Sequence, residues 1–588
     1  MDRKTWLAVG LSFLGLIIWH FYYNVPEAKR LSEQRAAAAR AAAETAAQTA
    51  ATPGAVSPIP TPTPAPVAPS MARATHALTS ADAEFLFQND TGGIEQVKLL
   101  NHEGEETDRV VLNADKDLPI GAFGVLPGQV TGGFEMSVDE KNNAVIFQKT
   151  EADGLVIEKR FSLPEIDGVK GRYAINLEVS FRNPTPAEII RGGYFISTGA
   201  AAPIHVNDMP TYTRFDWYRD GKMTSIDVNW FNEGRIPLIG IQTSPAKSLY
   251  EITSDQIAWA AVASQYFCTV VNSENPEGTQ VWARKFNTQR MSGNHPVFGI
   301  QGGLGFKAFS LPAGQERVDK FQIFAGPKEY AVLSKMEPNL KEVINFGFFG
   351  LISETLLWAM HGLHNVLWNS YAWAIIALTI IIKLMLWPLQ NMATNSMRRM
   401  AALAPKMTEL REKYKDDPQK MNQETMKLYR DYGINPFSGC LPMLIQIPLF
   451  FGFYTMLGSA VELRDSSFLW IQDLSQPDTV WTVPGINFPI NLLPIIMAGT
   501  MIWQMVITPK TGDAVQQRIF YFMPIIFLIF CYNYASGLAL YWTTQNLFSI
   551  VQLYLTRNKP LPVLEKKSVI AKREAALTAA ATKKKKRR

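Results

Sequence analysis

The run Ala372-Trp-Ala-Ile-Ile-Ala-Leu-Thr-Ile-Ile-Ile-Lys-Leu-Met-Leu-Trp-Pro-Leu389 constrains this chain most. As a helix it is long and apolar enough to cross a bilayer, which takes roughly 20 such residues. One cation, Lys383, interrupts it. A lysine at the centre of a spanning helix costs about 2.5–3.5 kcal/mol on insertion scales, so it should face protein or water, not lipid. Two readings follow. Lys383 stands four residues before Trp387, near the end of the run, where its amine can snorkel to the headgroups. Alternatively it is the working group of a polar cavity inside the membrane.

Other apolar runs are segregated in the same way. Trp6 to Tyr23 follows Arg3 and Lys4 and ends in the aromatic belt Trp19-His-Phe-Tyr-Tyr23, which predicts an uncleaved anchor and not a signal peptide. Cys440–Ala460, Phe488–Ile507, Ile519–Tyr534 and Leu538–Leu555 are four more spanning candidates, the last two joined only by Ala535-Ser-Gly537. Between Leu351 and Asn369, Leu356, Met360, Leu363 and Leu367 recur at helical spacing opposite Glu354, His361 and Asn365. That pattern, with Trp358 and Trp368, predicts a helix lying in the membrane interface.

The soluble parts have different textures. Glu27 to Ala51 is Ala-rich and passes into Pro-Thr-Ala repeats up to Pro69, the composition of an extended spacer. From Ala83 to Gly326 short alternating segments prevail. Tyr173, Ile175, Leu177, Val179 and Phe181 share one face opposite Asn176, Glu178 and Ser180, the period of a half-buried strand. Val156–Phe161 and Phe85–Gly93 read as further strands, and the region is expected to be a large β-sandwich. His102, His205 and His295 have no neighbouring ligand types there, so no metal or cofactor is expected.

Gln390 to Tyr432 predicts an antiparallel helical hairpin. Met400, Leu403, Met407, Leu410 and Tyr414 form one seam; Met421, Thr425, Leu428 and Tyr432 form the other. Asp416-Asp417-Pro418 starts the second arm, Gly433 stops it, and Pro405 should kink the first. The hairpin, the loop bearing Lys510 and Arg518, and the tail ending Lys583-Lys-Lys-Lys-Arg-Arg588 are basic, whereas Val461–Asn487 has Arg464 as its only cation. Cytoplasmic loops carry the Lys/Arg excess, which places both termini inside and the β-rich region outside. Lys29, Arg30, Arg35 and Arg40 after the first run point the other way, but long domains cross largely regardless of charge.

Polar residues punctuate the apolar runs: Thr379 one turn before Lys383, then Gln446, Gln504, Asn533, Thr543, Thr544, Gln545 and Asn546. Acids are missing from the centres of these runs, so the Asp/Glu relay of a proton-coupled transporter is not expected. The sequence has no Gly-rich phosphate loop, nucleophile elbow or HExxH. A non-enzymatic protein is expected. The competing classes are a transporter or channel, and an envelope receptor whose β-domain binds a glycan.

Several motifs bring a family into view. Asn435-Pro-Phe-Ser-Gly-Cys-Leu-Pro-Met-Leu-Ile-Gln-Ile-Pro-Leu-Phe450, Ser459-Ala-Val-Glu-Leu-Arg-Asp465, Phe468-Leu-Trp-Ile-Gln-Asp-Leu474, Pro524 and Ser536-Gly-Leu-Ala-Leu-Tyr541 resemble the YidC family of bacterial membrane-protein insertases in its long form. Thr91-Gly-Gly-Ile-Glu-Gln-Val97 carries a looser match in the β-region. The resemblance implies an α-helical membrane protein of six transmembrane helices with a five-helix insertase core, a periplasmic all-β supersandwich and a bacterial inner-membrane location. It implies insertion and folding of nascent membrane proteins, alone or with the Sec translocon and its accessory subunits. The basic hairpin and tail are expected to receive the ribosome or anionic membrane lipids. Lys383 stands where the family carries an arginine in a hydrophilic substrate groove; Thr379, Gln446 and Tyr541 fall at groove-lining positions, and Trp542 replaces a common second tyrosine. Residues 1–24 are then the anchor, 25–80 the linker, 81–330 the β-domain, 331–370 the interfacial helix, 371–389 the second span, 390–434 the hairpin, 435–556 the remaining spans and 557–588 the tail.

Overall fold

The computed structural model describes residues 74–557, apart from 90–91, 105–107, 116–117, 167–168, 207, 236–241, 276, 293–294, 337, 435–440, 486–487 and 509–513. The expected anchor, the Pro-rich spacer, the Asn435–Cys440 part of the family motif, Lys510 and the basic tail lie outside the described residues.

Strand alternation builds the β-domain. In Ala174–Arg182 the side chains of Ile175, Leu177, Val179 and Phe181 are buried, while Asn176, Glu178 and Ser180 stay half-buried. Both neighbours are antiparallel and set an aromatic ring opposite Leu177: Phe321 on Glu316–Pro327 and Phe161 on Val156–Ser162. Such cross-strand pairs fix register, because a one-residue slip would turn every apolar side chain outward. The resulting 13-stranded sheet runs from Phe123–Gly124 through Tyr194–Ala201, His295–Phe306, Gly278–Ser292, Tyr250–Ala263, Phe267–Asn275, Glu316–Pro327, Ala174–Arg182, Val156–Ser162 and Ala144–Thr150 to Glu135–Asp139. Arg214–Arg219 and Lys222–Asp227 branch from Tyr250–Ala263. A four-stranded sheet, Thr75–Thr79, Ala83–Gln88, Gly93–Leu99 and Val111–Leu112, packs on it, with Phe87 against Phe161 at 5.1 Å and Phe147 at 6.1 Å. Two sheets with an apolar interior are the sandwich that the alternation predicts. Gly302 is required by this packing: a Cβ there would lie 2.4 Å from the ring of Phe215.

The helices follow in order: α1 (Gly350–Val366), α2 (Tyr371–Met385), α3 (Trp387–Ala402), α4 (Ala404–Lys413), α5 (Pro418–Tyr432), α6 (Leu441–Ser459), α7 (Leu492–Ile507), α8 (Ala514–Cys531) and α9 (Ser536–Arg557). α1 buries Leu356, Leu357 and Met360 and leaves Leu351, Trp358 and Val366 exposed, so it is apolar on two sides. The hairpin is α4 and α5, where Leu403 and Tyr432 pack together with Met400 and Leu428. Asp417 accepts from the N–H of Lys420 at 3.0 Å, and Gly433 closes α5 with φ 65°.

Three expectations need correction. Pro405 does not kink one long arm: the helix ends at Ala402, and Pro405 sits in the first turn of α4, where its missing N–H costs nothing. Phe488 to Ile507 is not one helix, because Phe488–Asn491 pairs as a strand with Thr479–Val483. Helix α7 starts only at Leu492, and the Asp478 carboxylate accepts from the Leu493 N–H at 2.6 Å. That places an anion at a helix N-terminus, where the dipole favours it. The expected Ile519–Tyr534 run is helical from Ala514 and stops at Cys531.

Among the described residues no single helix is both long and apolar enough to cross a membrane. Gly347–Val366 and Tyr371–Met385 meet that requirement only as a pair bent by 120°. The 15 residues of α2 rise about 22 Å against a hydrocarbon thickness of about 30 Å. α9 is longer, but its polar residues dilute its hydropathy.

The β-domain meets the helices along a hydrogen-bonded seam. Gln265 donates to the Gly458 carbonyl at 2.8 Å, Tyr266 to Ser475 at 3.2 Å, and Arg464 to Glu103 at 3.0 Å. Tyr212 and Tyr534 share a hydroxyl contact of 3.1 Å, and Gln476 meets His205 at 3.0 Å. Backbone carbonyls of Leu474 and Gln476 accept from Gly537 and Ser536, both at 2.9 Å, and so cap the start of α9.

Candidate functional site

Helix α9 carries Tyr541, Gln545, Ser549 and Gln552 at spacings of four, four and three, so they form one stripe. All four are buried. Each polar group must find a partner there, since an orphaned buried group costs about 1–3 kcal/mol. The partners come from three other helices. From α6, Gln446 donates to Tyr541 Oη at 2.8 Å and to Gln545 Oε1 at 2.7 Å. From α2, Lys383 donates to Ser549 Oγ at 3.2 Å, while that hydroxyl donates to the Gln545 carbonyl at 2.9 Å. From α3, Asn391 Oδ1 accepts from Gln552 at 3.3 Å. On another face of α9, Asn546 donates to Thr500 at 3.1 Å and ties α7 in.

Lys383 is half-buried and has three N–H donors to satisfy. Ser549 takes one, and among the described residues no carboxylate lies within ion-pair distance of the amine. The site therefore offers spare cationic donors to an oxygen ligand brought from outside. Thr379 is placed differently: it is buried, and its hydroxyl donates to the Ile375 carbonyl at 2.7 Å. Trp542 faces Phe450 at 4.8 Å and Phe527 at 4.3 Å, so it belongs to an aromatic cluster next to the polar stripe. The structure thus brings Gln446 and Tyr541 together, sets Lys383 further along the same stripe and leaves Thr379 and Trp542 outside its hydrogen bonds. Ser549, Gln552 and Asn391 escape the reading of the sequence. The four-four-three spacing along α9 is the signal that finds two of them. Among the described residues no three His, Cys, Asp or Glu side chains are grouped to hold a metal ion.

The site is thus a buried polar stripe reaching Lys383, a cation with no carboxylate partner among the described residues, on helices that are hydrogen-bonded to a β-sheet domain. The family described as YidC periplasmic domain matches residues 85–359, and that described as 60Kd inner membrane protein matches residues 362–562. The membrane protein insertase YidC of Syntrophus aciditrophicus (strain SB) is 41% identical over 300 residues, 51% of this chain and 52% of its own length. That of Nitratidesulfovibrio vulgaris (strain DSM 19637 / Miyazaki F) is 32% identical over 431 residues, 71% of this chain and 72% of its own. A crystal structure of an active YidC insertase with its first transmembrane domain resolved aligns over 83% of this chain and 93% of its own, at 19% identity and a TM-score of 0.34. The chain belongs to the YidC family of membrane protein insertases.

Proposed function

We propose that this chain inserts hydrophobic segments of nascent membrane proteins into a bacterial inner membrane without catalysing a covalent step. The single observation that carries the reading is Lys383, a cation with no carboxylate partner among the described residues, set on a buried polar stripe shared by four helices. Moving an unpartnered polar group through hydrocarbon costs several kcal/mol. Lys383 and Gln446 supply temporary donors, and Tyr541 and Gln545 temporary hydroxyl and carbonyl partners, so the hydrophilic flank of an incoming segment pays less while its apolar part slides against α2, α6 and Trp542. Here α2, α6, α7, α8 and α9 act as five spans, with the segment 1–24 as a sixth. The basic hairpin and both termini face the cytoplasm, and the β-domain faces the periplasm.

In this reading the hairpin and the basic tail meet the ribosome or anionic lipid headgroups, since cations near such surfaces gain about 1 kcal/mol each. The Sec translocon and its accessory subunits are partners for larger clients. The test is site-specific photocrosslinking from positions 379, 383 and 446 during synthesis of a small membrane protein in vesicles. Adducts with the nascent chain are expected; their absence at all three positions would remove the reading.

A further inference from the structure

Below Lys383 the chain leaves α2 at Leu386 and re-forms as α3, and α3 runs in step with α9. Trp387 meets Phe548 edge-on at 5.7 Å and 86°. One turn further on both helices, Asn391 accepts from Gln552 at 3.3 Å. Each partner is four residues beyond the previous one, so the two contacts are successive rungs between the same helix faces. Gln552 lies on the stripe of Tyr541, Gln545 and Ser549, and it is the member furthest along the chain. Pro388, with no N–H, cannot tie the start of α3 back to α2. α3 leads directly into α4 and the hairpin.

We propose that Asn391 and Gln552 form the outer rung of the polar stripe: a side-chain amide pair that the hydrophilic flank of an incoming segment replaces with its own peptide amides before it reaches Ser549 and Lys383. The proposal rests on the insertase reading and adds two positioning residues and an order of contacts to it. The chemistry suits such an exchange. A primary amide offers the same donor and acceptor types as a peptide group, so each hydrogen bond lost when the rung opens is regained from the client. A charged pair at this point would leave an unpaired ion on opening, and an apolar pair would offer the flank nothing. Trp387 stands between Asn391 and Lys383 along the chain, and Phe548 directly precedes Ser549, so once α3 parts from α9 at Asn391 the aromatic contact is the next between these two helices to yield.

The experiment places a photocrosslinker in the full-length chain at 391, 552, 446 or 379, in membrane vesicles, and presents ribosome-stalled chains of increasing length from a client with a polar, uncharged flank. Adducts at 391 and 552 are expected at shorter chain lengths than adducts at 446 and 379. Adducts at 446 and 379 with none, or only later ones, at 391 and 552 overturn the outer rung and leave the insertase reading standing. No adduct at any of the four overturns both. A second arm measures insertion rates. Gln552→Leu is expected to slow the polar-flanked client about fivefold, the worth of roughly one hydrogen bond, and to slow an apolar-flanked client clearly less. Exchange of the two amides (Asn391→Gln with Gln552→Asn) is expected to restore the rate. Equal slowing of both clients, or no recovery on exchange, assigns the pair to helix packing and overturns the proposal.

Discussion

Ser549 presents a lone pair to Lys383 because its hydroxyl proton is already committed to the Gln545 carbonyl one turn earlier on α9. The serine can only accept from the amine, which orients the cation without neutralising it. A client carboxylate about 4 Å away would gain about 4 kcal/mol at an effective dielectric of about 20, and about 1 kcal/mol in water. Lys383→Arg keeps the charge and adds a planar fork of donors, so insertion is expected to survive it. Lys383→Glu turns attraction into repulsion and should slow a client with an acidic flank more than about tenfold, with a smaller effect on a neutral flank. Protease protection of labelled clients in vesicles reads both; equal loss for the two flanks would deny the charge its role.

Gln446 holds two groups of α9 at once, and that separates stability from function. Gln446→Leu leaves Tyr541 and Gln545 without their donor inside a buried face and is expected to cost about 1–3 kcal/mol in thermal unfolding in detergent. The double variant Gln446→Leu/Gln545→Leu removes Gln545's side-chain acceptor and should be more stable than the single one. Both variants should insert clients poorly, since both empty the stripe. A double variant that regained stability and activity together would make the glutamines mere interhelical glue.

How much of this was legible beforehand depends on the length scale of the signal. The strand Ala174–Arg182 and the caps at Asp417 and Gly433 were readable because the period-two pattern, the N-cap and the left-handed stop are local. Lys383 was readable because one charge in an apolar run is costly. Phe488–Asn491 was not: its residues are as apolar as the helix that follows, and only pairing with Thr479–Val483 makes it a strand. Gln552 and Asn391 are 161 positions apart, so nothing local joins them. The contacts of Gln265 and Tyr266 with Gly458 and Ser475 were beyond reach for the same reason, since they depend on how the β-domain seats on the helices.

The β-domain buries two lysines outside any ion pair among the described residues. Lys159 donates to the Gly92 carbonyl between the rings of Phe134 and Phe161, and burial pulls its pKa down to about 7. Burial first, and the nearby Arg214 second, bring Lys328 to about 7 as well. An unfolded lysine titrates near 10.4, so between pH 7 and about 10 the unfolded chain binds more protons than the folded one. Stability therefore rises with pH across that window, and the full penalty is present below it. Denaturant unfolding followed by the fluorescence of buried Trp259 and Trp282 should show this rise from pH 7 to 9.5. Lys159→Met with Lys328→Met should flatten it; an unchanged slope would mean that neither amine loses its proton.

Gly458 tests the seating of the β-domain on the helices. Its carbonyl accepts from Gln265, and a Cβ added to it would stand 2.1 Å from Tyr534 Oη and 2.7 Å from Tyr212 Oη. Gly458→Ala must therefore push apart two hydroxyls that now touch, and overpacking of this kind costs about 1–3 kcal/mol. Gly499, inside α7, has open space where its Cβ would go, so Gly499→Ala is expected to stabilise by up to about 1 kcal/mol through helix propensity alone. Adding Tyr534→Phe to Gly458→Ala removes the nearest clashing atom and should recover part of the loss. If Gly458→Ala unfolds no earlier than the parent chain in a thermal scan, or if Tyr534→Phe deepens its defect, then Tyr534 does not press on Gly458 and the seam is held by its carbonyl contacts alone.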